Sequence, residues 1–480
     1  MLAGAASALP FSSRSYANIV GANNRVRLAI AGLGGRGGDL INSFGPLDGV
    51  EIAGLVDPNQ VTLTRRTEQI KKDFGNTPKS VADIRVILED KEIDAVAIAT
   101  CDHWHSLMTI WACQAGKDVY CEKPCSQRLF EGRKCAEAAK KYDRLVQHGT
   151  QRRSETLWAK VAAAIQQNLY GKLVTVKVNA NRPRGPLGFK PNIDPPATLD
   201  WDLWLGPAAM TPYHDNLVPY NWHWFWNTGN GEICNNGVHF FDLCRWAMQT
   251  DHPDSVISFG TRFVKDKANN YRDQGETPNI ILALYEFGGI PMIHQTCNIA
   301  GPKDKWEPRE ETEFYTEQGI LRGDKFYPYK KEGSLEVDEP VELQVDQYDA
   351  PAPGGNFGNF INAIRDRNSV KLNAPISGGH YSSAIPLWGN ASYRMGAKGE
   401  VTPIEKIREQ MGSNPVLQQS IDMVLENVVR ELNVELKDIP FKISPKLRID
   451  GENDRFIDNA EADAFLTRAP RPPFAVPDQV

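Results

Sequence analysis

A glycine-rich turn after the first apolar segment constrains the fold of this chain more than any other sequence feature. Gly32, Gly34 and Gly37 have the spacing Gly-x-Gly-x-x-Gly, and the apolar segment 26–31 precedes them. A second apolar segment leads directly into Asp57, twenty residues beyond Gly37. A strand, a glycine turn, a helix, a second strand and a terminal carboxylate, in this order, predict a dinucleotide-binding unit with a parallel sheet.

Each glycine has its own task in this interpretation. Gly32 permits the tight turn, Gly34 lets the backbone approach a pyrophosphate, and Gly37 allows helix and strand to pack closely. The pyrophosphate would lie at the helix N-terminus, beside Gly35 and Arg36. These five residues are therefore predicted to bind the cofactor.

Asp57 is predicted to accept hydrogen bonds from the adenosine ribose hydroxyls. Its charge would repel a 2′-phosphate, which favours NAD over NADP. Arg65 and Arg66 could neutralise such a phosphate, so that NADP stays an alternative. The competing interpretation of the whole motif is an ordinary glycine turn in which Asp57 caps a helix.

Length, charge and cysteine content narrow the possibilities further. A chain of 480 residues exceeds what one hydrophobic core usually supports, which predicts two domains. A net charge of -6 indicates no nucleic-acid partner, and no apolar segment approaches the roughly 18 to 20 residues that span a bilayer. The eight cysteines lack CxxC and zinc-ligand spacings, so we predict reduced, buried thiols and no metal site.

The first 22 residues are rich in alanine and serine and resemble the end of a secretion signal more than the start of a domain. Two interpretations of residues 1–24 stay open, a disordered tail or a signal whose twin-arginine start is missing. The second predicts a periplasmic protein, and otherwise we expect a cytoplasmic one. Because free NAD is scarce outside the cytoplasm, an exported protein would have to hold its cofactor tightly.

The pattern of predicted strands and helices changes near residue 150. Apolar segments alternate with helical ones over residues 25–150, which predicts an α/β Rossmann domain. Residues 151–400 are predicted to form an α+β domain on an open, largely antiparallel or mixed sheet, and residues 401–480 a C-terminal extension. The strand candidates of the second domain are 173–181, 255–264, 279–287 and 290–299, and its helix candidates are 354–368 and 380–396.

The tripeptide Glu122-Lys123-Pro124 is the first candidate for catalysis. It follows a predicted strand, and open α/β sheets bind ligands at the carboxyl ends of their strands. Proline restricts Lys123 to an extended conformation, which would fix how its side chain projects. A lysine there could hold a substrate oxygen, whereas a solvated loop lysine is the alternative.

The segment 229–242 is the second candidate. A helix over 232–245 would place Asn235, His239 and Asp242 on one face, at positions i, i+4 and i+7. A histidine oriented by a polar neighbour is a common general base for a hydroxyl proton. The alternative is a buried histidine that is satisfied by Asp242.

A group of tryptophans lies between these candidates. Tryptophan faces stack on sugar rings, which favours a carbohydrate substrate, although packing beneath a long loop is the alternative. Two nearby histidines lack a spacing that would support a metal site. The residues concerned are Trp201, Trp204, Trp222, Trp224 and Trp226, with His214 and His223.

Taken together, these motifs resemble the Gfo/Idh/MocA family, the group of glucose-fructose oxidoreductase, inositol dehydrogenase and rhizopine-catabolism proteins. The resemblance covers most of residues 25–400. It rests on the order of the glycine turn, the segment 97–105, the tripeptide 122–124 and the segment 231–242. The last of these matches the family's GxxxDxGxHxxD motif with one departure, Asn235 in place of Asp.

The resemblance implies hydride transfer between NAD(P) and a carbinol carbon of a sugar, cyclitol or glycoside. It implies that Lys123 and His239 form the acid–base pair, with His239 as proton acceptor and Lys123 as polarising group. An amide at Asn235 cannot stabilise a neighbouring cation as a carboxylate does, which puts the proton-relay role of that position in doubt. We also predict Thr100, His105 and Glu122 at the cofactor, and Trp204, Trp222, His223 and Asp242 at the substrate.

Two other functions stay open, and both use the same fold. An NAD-dependent glycosidase would oxidise C3, which acidifies the C2 proton, eliminate the glycoside and then return the hydride. A non-catalytic sugar- or NAD-binding protein would have no need for Lys123 and His239 together. Because sheet faces commonly pair in this family, a homodimer or homotetramer is expected.

Overall fold

The computed structural model describes residues 25–299, 310–367 and 370–480, so the predicted tail or signal remnant lies outside the described residues. The strands are β1 (Val26–Ala31), β2 (Val50–Val56), β3 (Lys79–Val81), β4 (Ala95–Ile98), β5 (Asp118–Cys121), β6 (Val146–His148), β7 (Leu173–Ala180), β8 (Ser255–Thr261), β9 (Ile280–Phe287), β10 (Ile290–Cys297), β11 (Glu310–Thr316), β12 (Gly319–Arg322), β13 (Lys325–Pro328), β14 (Val341–Glu342), β15 (Lys442–Ile443), β16 (Leu447–Asp450) and β17 (Arg455–Phe456). The helices are α1 (Gly35–Phe44), α2 (Gln60–Phe74), α3 (Ile84–Leu88), α4 (Asp102–Gln114), α5 (Leu129–Lys141), α6 (Thr156–Gln166), α7 (Trp201–Leu205), α8 (Gly231–Asn235), α9 (Gly237–Met248), α10 (Gly355–Arg365), α11 (Ile376–Ala397), α12 (Ile404–Met411), α13 (Pro415–Leu432) and α14 (Ala460–Asp463).

Six parallel strands form the first sheet, in the order β3-β2-β1-β4-β5-β6. Strand β1 is apolar along most of its length because helices cover both faces of a parallel sheet. The strand order reverses at β1, which pairs with β2 on one side and β4 on the other. A ligand crevice forms at such a reversal, beyond the carboxyl ends of the strands, and the predicted Rossmann fold is confirmed.

The second sheet is mixed and mostly antiparallel, as predicted. Its strands follow the path β14-β13-β12-β11-β7-β10-β9-β8-β16-β17, and β15 also pairs with β8. Helices α6, α9 and α11 pack on one face. Helices α12 and α13 pack on the other face, over β8 to β10. Assembly into a homodimer or homotetramer stays a prediction. Because α13 covers this face of β8 to β10, these strands could contact a second subunit there only if α13 moved away.

Residues 401–480 are part of both domains and not a separate extension. Strands β15 and β16 pair with β8 of the second sheet. The end of the chain returns to the first domain, where the rings of Phe474 and Trp104 meet edge to face with centroids 5.5 Å apart. The sequence did not reveal these contacts, because each joins segments that are far apart in the chain.

The prediction of one continuous helix over 232–245 is wrong. Helix α8 ends at Asn235, and α9 begins at Gly237, with Asn236 between them outside both helices. Asparagine and glycine are weak helix formers, and three of them in succession favour a break here. Asn235 and His239 consequently lie on different helices.

Membrane-spanning helices and metal sites were sought only among the residues that the structure describes. Within them, no helix combines the length and apolarity needed to cross a membrane. No three His, Cys, Asp or Glu side chains converge there as ligands for a metal ion. All eight cysteines are free, and seven of them are buried.

Candidate active site

The glycine turn forms one wall of a cleft of about 400 Å³ between the two sheets. Gly32 has a φ of +80°, and a methyl group on Gly37 would lie 1.9 Å from the Gly32 carbonyl oxygen. Only glycine therefore allows α1 to begin this close to β1. At Gly34 and Gly35 a methyl group would meet no atom within 4 Å, because both face the cleft. This open cradle at the N-terminus of α1 fits the pyrophosphate of a dinucleotide.

Asp57 lies at the ribose end of this wall. Its carboxylate accepts hydrogen bonds from the backbone N–H groups of Leu33 and Asn59, at 2.8 and 2.9 Å. Burial raises the pKa of Asp57, although these two N–H groups oppose that shift. The side chain that caps α2 is Asn59, which accepts from the N–H of Val61 at 3.0 Å. The interpretation of Asp57 as the helix cap is therefore wrong.

The two arginines near Asp57 differ in their surroundings. Arg66 donates to the carbonyl oxygens of Leu33 and Gly34, each at 3.1 Å, and so is bound to the glycine turn. Arg65 is exposed. Arg66 is already bound to the turn, and the carboxylate of Asp57 at the ribose position favours NAD. The charge of Arg65 reaches Asp57, where it opposes the rise in pKa that burial causes.

Lys123 reaches into the cleft from the end of β5. Its Nζ donates to the backbone carbonyl oxygen of Asn235 at 2.5 Å and lies 3.4 Å from the side-chain Oδ1 of the same residue. Lys123 is therefore not a solvated loop residue, since the second domain holds its ammonium group. The shorter contact is to the main chain, so the replacement of Asp by Asn at position 235 leaves this anchor in place.

Four further residues predicted at the cofactor line the same wall. Glu122 is buried and binds the guanidinium of Arg36, whose Nη2 lies 2.7 Å from its Oε1. The ring of His105 lies between two carbonyl oxygens, that of Pro124 at 2.6 Å and that of Thr100 at 3.1 Å. These contacts fix the shape of the cleft floor beneath Lys123.

His239 faces the cleft from the first turn of α9. Hydrogen-bonding partners for its ring are absent from the part of the chain that the structure describes. Burial, followed by the charges of Lys123 and Arg152, lowers the pKa of His239 well below its ordinary value. The imidazole is therefore neutral near pH 7, and a nitrogen is free to accept a proton.

The aromatic residues predicted to contact substrate form much of the opposite wall. Trp204, Trp222 and His223 line the cleft, whereas Trp224 and Trp226 do not. The rings of Trp222 and His223 are stacked with centroids 3.6 Å apart. The cleft therefore offers aromatic rings together with Lys123 and His239.

Trp204, Trp222 and His223 belong to a segment, residues 196–223, that we call the strap. The strap crosses from the second domain onto the loop that follows Asp57. The N–H of Gln60 donates to the Thr198 carbonyl oxygen at 2.9 Å, and the N–H of Asp200 donates to the Pro58 carbonyl oxygen at 3.0 Å. The ribose end of the cleft is thus covered by the protein's own backbone.

Asp242 is not a substrate residue, because its carboxylate points away from the cleft. It binds the guanidinium of Arg153, with Nε 2.8 Å from Oδ2, and accepts from the hydroxyl of Ser382 at 2.7 Å. The break before α9 separates it from Asn235, so these side chains do not share one helix face. Nor does Asp242 satisfy the ring of His239 by a hydrogen bond.

Removing the charge of Asp242 is expected to destabilise the fold without changing the cleft. Burial alone would raise the pKa of Asp242, but the guanidinium of Arg153 beside it holds the pKa below its ordinary value. The pair therefore stabilises the fold at neutral pH, and this contribution is lost as the pH falls below about 4. We expect Asp242→Asn to lower the free energy of unfolding by about 3 kcal/mol at pH 7.

Urea unfolding of both proteins at pH 7 and at acid pH measures this effect. Asp458→Asn is the matched control, because its ion pair with Arg448 is exposed on both sides. The control should cost less than about 1 kcal/mol. Equal stability of Asp242→Asn and the parent chain at pH 7 would contradict the assignment.

The sequence analysis missed several polar residues that line the cleft, among them Asp102, Gln151 and Tyr220. Asp102 had an available signal, since it begins α4 just after the loop that leaves β4 at the carboxyl edge of the sheet. Tyr220 had none, because only the path of the strap brings it to the cleft.

Both domains of this chain match models of known protein families. Residues 26–150 match an oxidoreductase family with an NAD-binding Rossmann fold, and residues 187–271 match the C-terminal alpha/beta domain of an oxidoreductase family. Myo-inositol 2-dehydrogenase from Thermotoga maritima is 26% identical over 376 residues, which are 73% of this chain and 100% of that enzyme.

Two further relatives extend the comparison. A glycosyl hydrolase family 109 protein from Solibacter usitatus is 28% identical over 141 residues, which are 27% of this chain and only 32% of that protein. The WlbA dehydrogenase from Bordetella pertussis, solved with NADH and UDP-GlcNAcA, is 18% identical with a TM-score of 0.53 over 75% of this chain and 94% of its own. At that identity the likeness shows the fold.

Proposed function

Because this chain belongs to the Gfo/Idh/MocA family of NAD-binding oxidoreductases, we propose that it transfers a hydride between NAD and a carbinol carbon of a sugar, cyclitol or glycoside. The observation that carries the proposal is the meeting of Lys123 and His239 in the cleft that is also lined by the glycine turn and Asp57. A protein that only binds sugar or NAD would not need both groups there.

Lys123 and His239 have different roles at the substrate oxygen. NAD, when bound, supplies the hydride acceptor at the nicotinamide. His239 takes the hydroxyl proton, since its neutral ring faces the cleft without a described protein partner. Lys123 donates a hydrogen bond to the same oxygen and stabilises the negative charge that develops there. The Asn235 carbonyl, 2.5 Å from Nζ, keeps the ammonium group in position for this.

The flat rings of the strap support a carbohydrate substrate. Trp222, His223 and Tyr220 line the cleft near Lys123, and the C–H face of a sugar or cyclitol ring packs well against such surfaces. The myo-inositol 2-dehydrogenase among the relatives is named for a cyclitol. Trp204 also lines the cleft, and its stack on Trp201, with ring centroids 4.7 Å apart, fixes the orientation of its ring.

A resident cofactor is a further part of the proposal. The strap lies over the ribose end of the cleft and is fixed to the first domain at several points. The indole Nε1 of Trp104 donates to the Leu203 carbonyl oxygen at 3.0 Å, and Arg471 binds Asp202 and the Gly206 carbonyl oxygen. Release of NAD would require these contacts to open, so the cofactor should stay bound through turnover.

Loosening the strap from outside the cleft is expected to release the cofactor faster. Arg471→Ala removes the anchor at Asp202 while leaving every cleft residue in place, and we expect NADH dissociation to accelerate at least about tenfold. Stopped-flow fluorescence of bound NADH measures the rate. Arg448→Ala is the control, because its ion pair with Asp458 is exposed on both sides. An unchanged rate, or purified protein that releases no nicotinamide nucleotide on denaturation, would contradict a resident cofactor.

A redox-neutral glycosidase is the second candidate function. A cofactor that cannot leave is suited to a cycle in which the hydride returns to the same molecule, and one group of relatives carries a glycosyl hydrolase name. The same Lys123 and His239 would serve the oxidation step of that cycle.

A substrate panel tests both candidates. The protein is incubated with sugars, cyclitols and aryl glycosides while NADH absorbance and aglycone release are followed together. Accumulation of NADH without cleavage supports the dehydrogenase, and cleavage without net NADH supports the glycosidase. Absence of both signals with every compound would refute the proposed function.

A further inference from the structure

We propose that Asp102 is a proton-exchanging carboxyl group of this active site, which takes the proton of Lys123 when His239 receives the substrate proton. This inference rests on the proposed function and adds a residue to it. It assigns to Asp102 the carboxyl chemistry that Asn235, an amide, cannot perform.

The position of Asp102 is unusual for a carboxyl group. It is the first residue of α4 and lines the cleft together with Lys123, Asn235 and His239. Its relative exposure is 3%. No hydrogen bond reaches its carboxyl from any residue that the structure describes. Buried carboxyl groups are normally paired or hydrogen-bonded, and one left free beside a catalytic lysine is suited to proton exchange.

The charges around Asp102 single out Lys123 as its partner. Lys123 is the charged group that opposes its protonation. Two thiols also neighbour it, Cys101 in the same loop and Cys234 on α8, but burial raises the pKa of both well above the ordinary value. Both thiols are therefore neutral near pH 7. The charge of Asp57 raises the pKa of Cys101 but is not among the charges that act on Asp102.

Burial raises the pKa of Asp102 to about 7, against the attraction of the Lys123 ammonium. The carboxyl group is consequently present in both forms near neutral pH, which is the condition for efficient proton transfer. A carboxylate at its ordinary pKa would hold a proton too weakly for this purpose.

The proton balance explains why such a group is needed. When the hydride leaves the carbinol carbon, the hydroxyl proton passes to His239 and makes an imidazolium ion. The ammonium group of Lys123 is also positively charged, which is why it lowers the pKa of His239, and two adjacent cations would therefore result. If the Lys123 ammonium gives a proton to the Asp102 carboxylate, the lysine becomes neutral and the imidazolium is the only cation of the three. One alcohol is oxidised, one NAD is reduced, and no other reactant is required.

The test is Asp102→Asn, an isosteric change that removes the proton acceptor. In the parent holoenzyme, kcat for sugar oxidation should rise as the pH increases through about 7, since the carboxylate form is required. In Asp102→Asn this rise should disappear and kcat should fall at least about tenfold, with little change in KM. The double variant Asp102→Asn with Asn235→Asp places a carboxylate on the other side of Lys123, and it should recover part of the rate.

Difference infrared spectroscopy of the holoenzyme provides a readout that does not depend on turnover. A carboxyl C=O band should titrate near pH 7 in the parent protein, vanish in Asp102→Asn and titrate at higher pH in Lys123→Met, which removes the opposing charge. Absence of the band, or an unchanged pH profile in Asp102→Asn, would overturn the inference. A band with these properties in a protein that oxidises no substrate would refute only the proposed function.

Discussion

Replacing His239 with asparagine should lower the rate of hydride transfer by about 10²–10⁴-fold, because asparagine keeps a polar side chain but cannot accept a proton. The neutral ring of His239 lacks a described hydrogen-bonding partner, and we assign it as the group that accepts the hydroxyl proton. The effect is measured as single-turnover formation of NADH with a panel compound that the parent enzyme oxidises.

The control for this variant is His214→Asn. His214 is buried but does not line the cleft, so its replacement should leave the single-turnover rate within a few-fold of the parent. NADH binding should be retained in His239→Asn, since the ring does not hold the cofactor. If His239→Asn kept the parent rate, Lys123 would have to be the base, and the division of roles proposed for the two side chains would be wrong.

The largest effect on the fold is expected at Gly37. A methyl group in Gly37→Ala would lie 1.9 Å from the Gly32 carbonyl oxygen, a backbone atom that cannot move without shifting β1 or α1. We expect a loss of about 3 kcal/mol or more in the free energy of unfolding, together with loss of bound nucleotide. Urea unfolding and the nucleotide content of the purified protein measure both.

Gly34→Ala is the matched comparison within the same turn. No protein atom lies within 4 Å of its added methyl group, so stability should change by no more than about 0.5 kcal/mol. The methyl group would, however, occupy the cradle that faces the pyrophosphate, and NADH affinity should fall at least about tenfold. Equal losses of stability in the two variants would contradict the assignment of Gly37 to packing and of Gly34 to nucleotide binding.

The first domain could be predicted in detail because its signals are local. The glycine turn, the two apolar strands and Asp57 lie within 32 consecutive residues, and each position has a steric or electrostatic reason that neighbouring residues supply. The tripeptide around Lys123 could be placed at the cleft for the same reason, since the end of a parallel strand has a known position in such a sheet.

The segment 231–242 could be predicted only in part from the sequence. The motif located His239 correctly at the cleft, but the helix break at Asn236 gave Asp242 a different direction and a different partner. Arg153, which binds Asp242, is 89 residues away in the chain. A helical face can be read from spacing only when the helix is continuous, and distant partners decide whether a polar residue is structural.

By itself, the sequence determined the nucleotide-binding unit and the order of the domains, because strand ends and glycine turns follow from local sterics. Its resemblance to the Gfo/Idh/MocA family singled out Lys123 and His239 as the acid–base candidates. Only the tertiary structure decided that the Asn235 main chain anchors Lys123, that the strap covers the ribose end and that residues 401–480 complete both cores. It also decided that Asp102 is buried with no hydrogen-bonding partner among the described residues. Burial and pairing depend on contacts between residues that are far apart in the chain, and in this protein those contacts determine which polar groups support the fold and which remain free for chemistry.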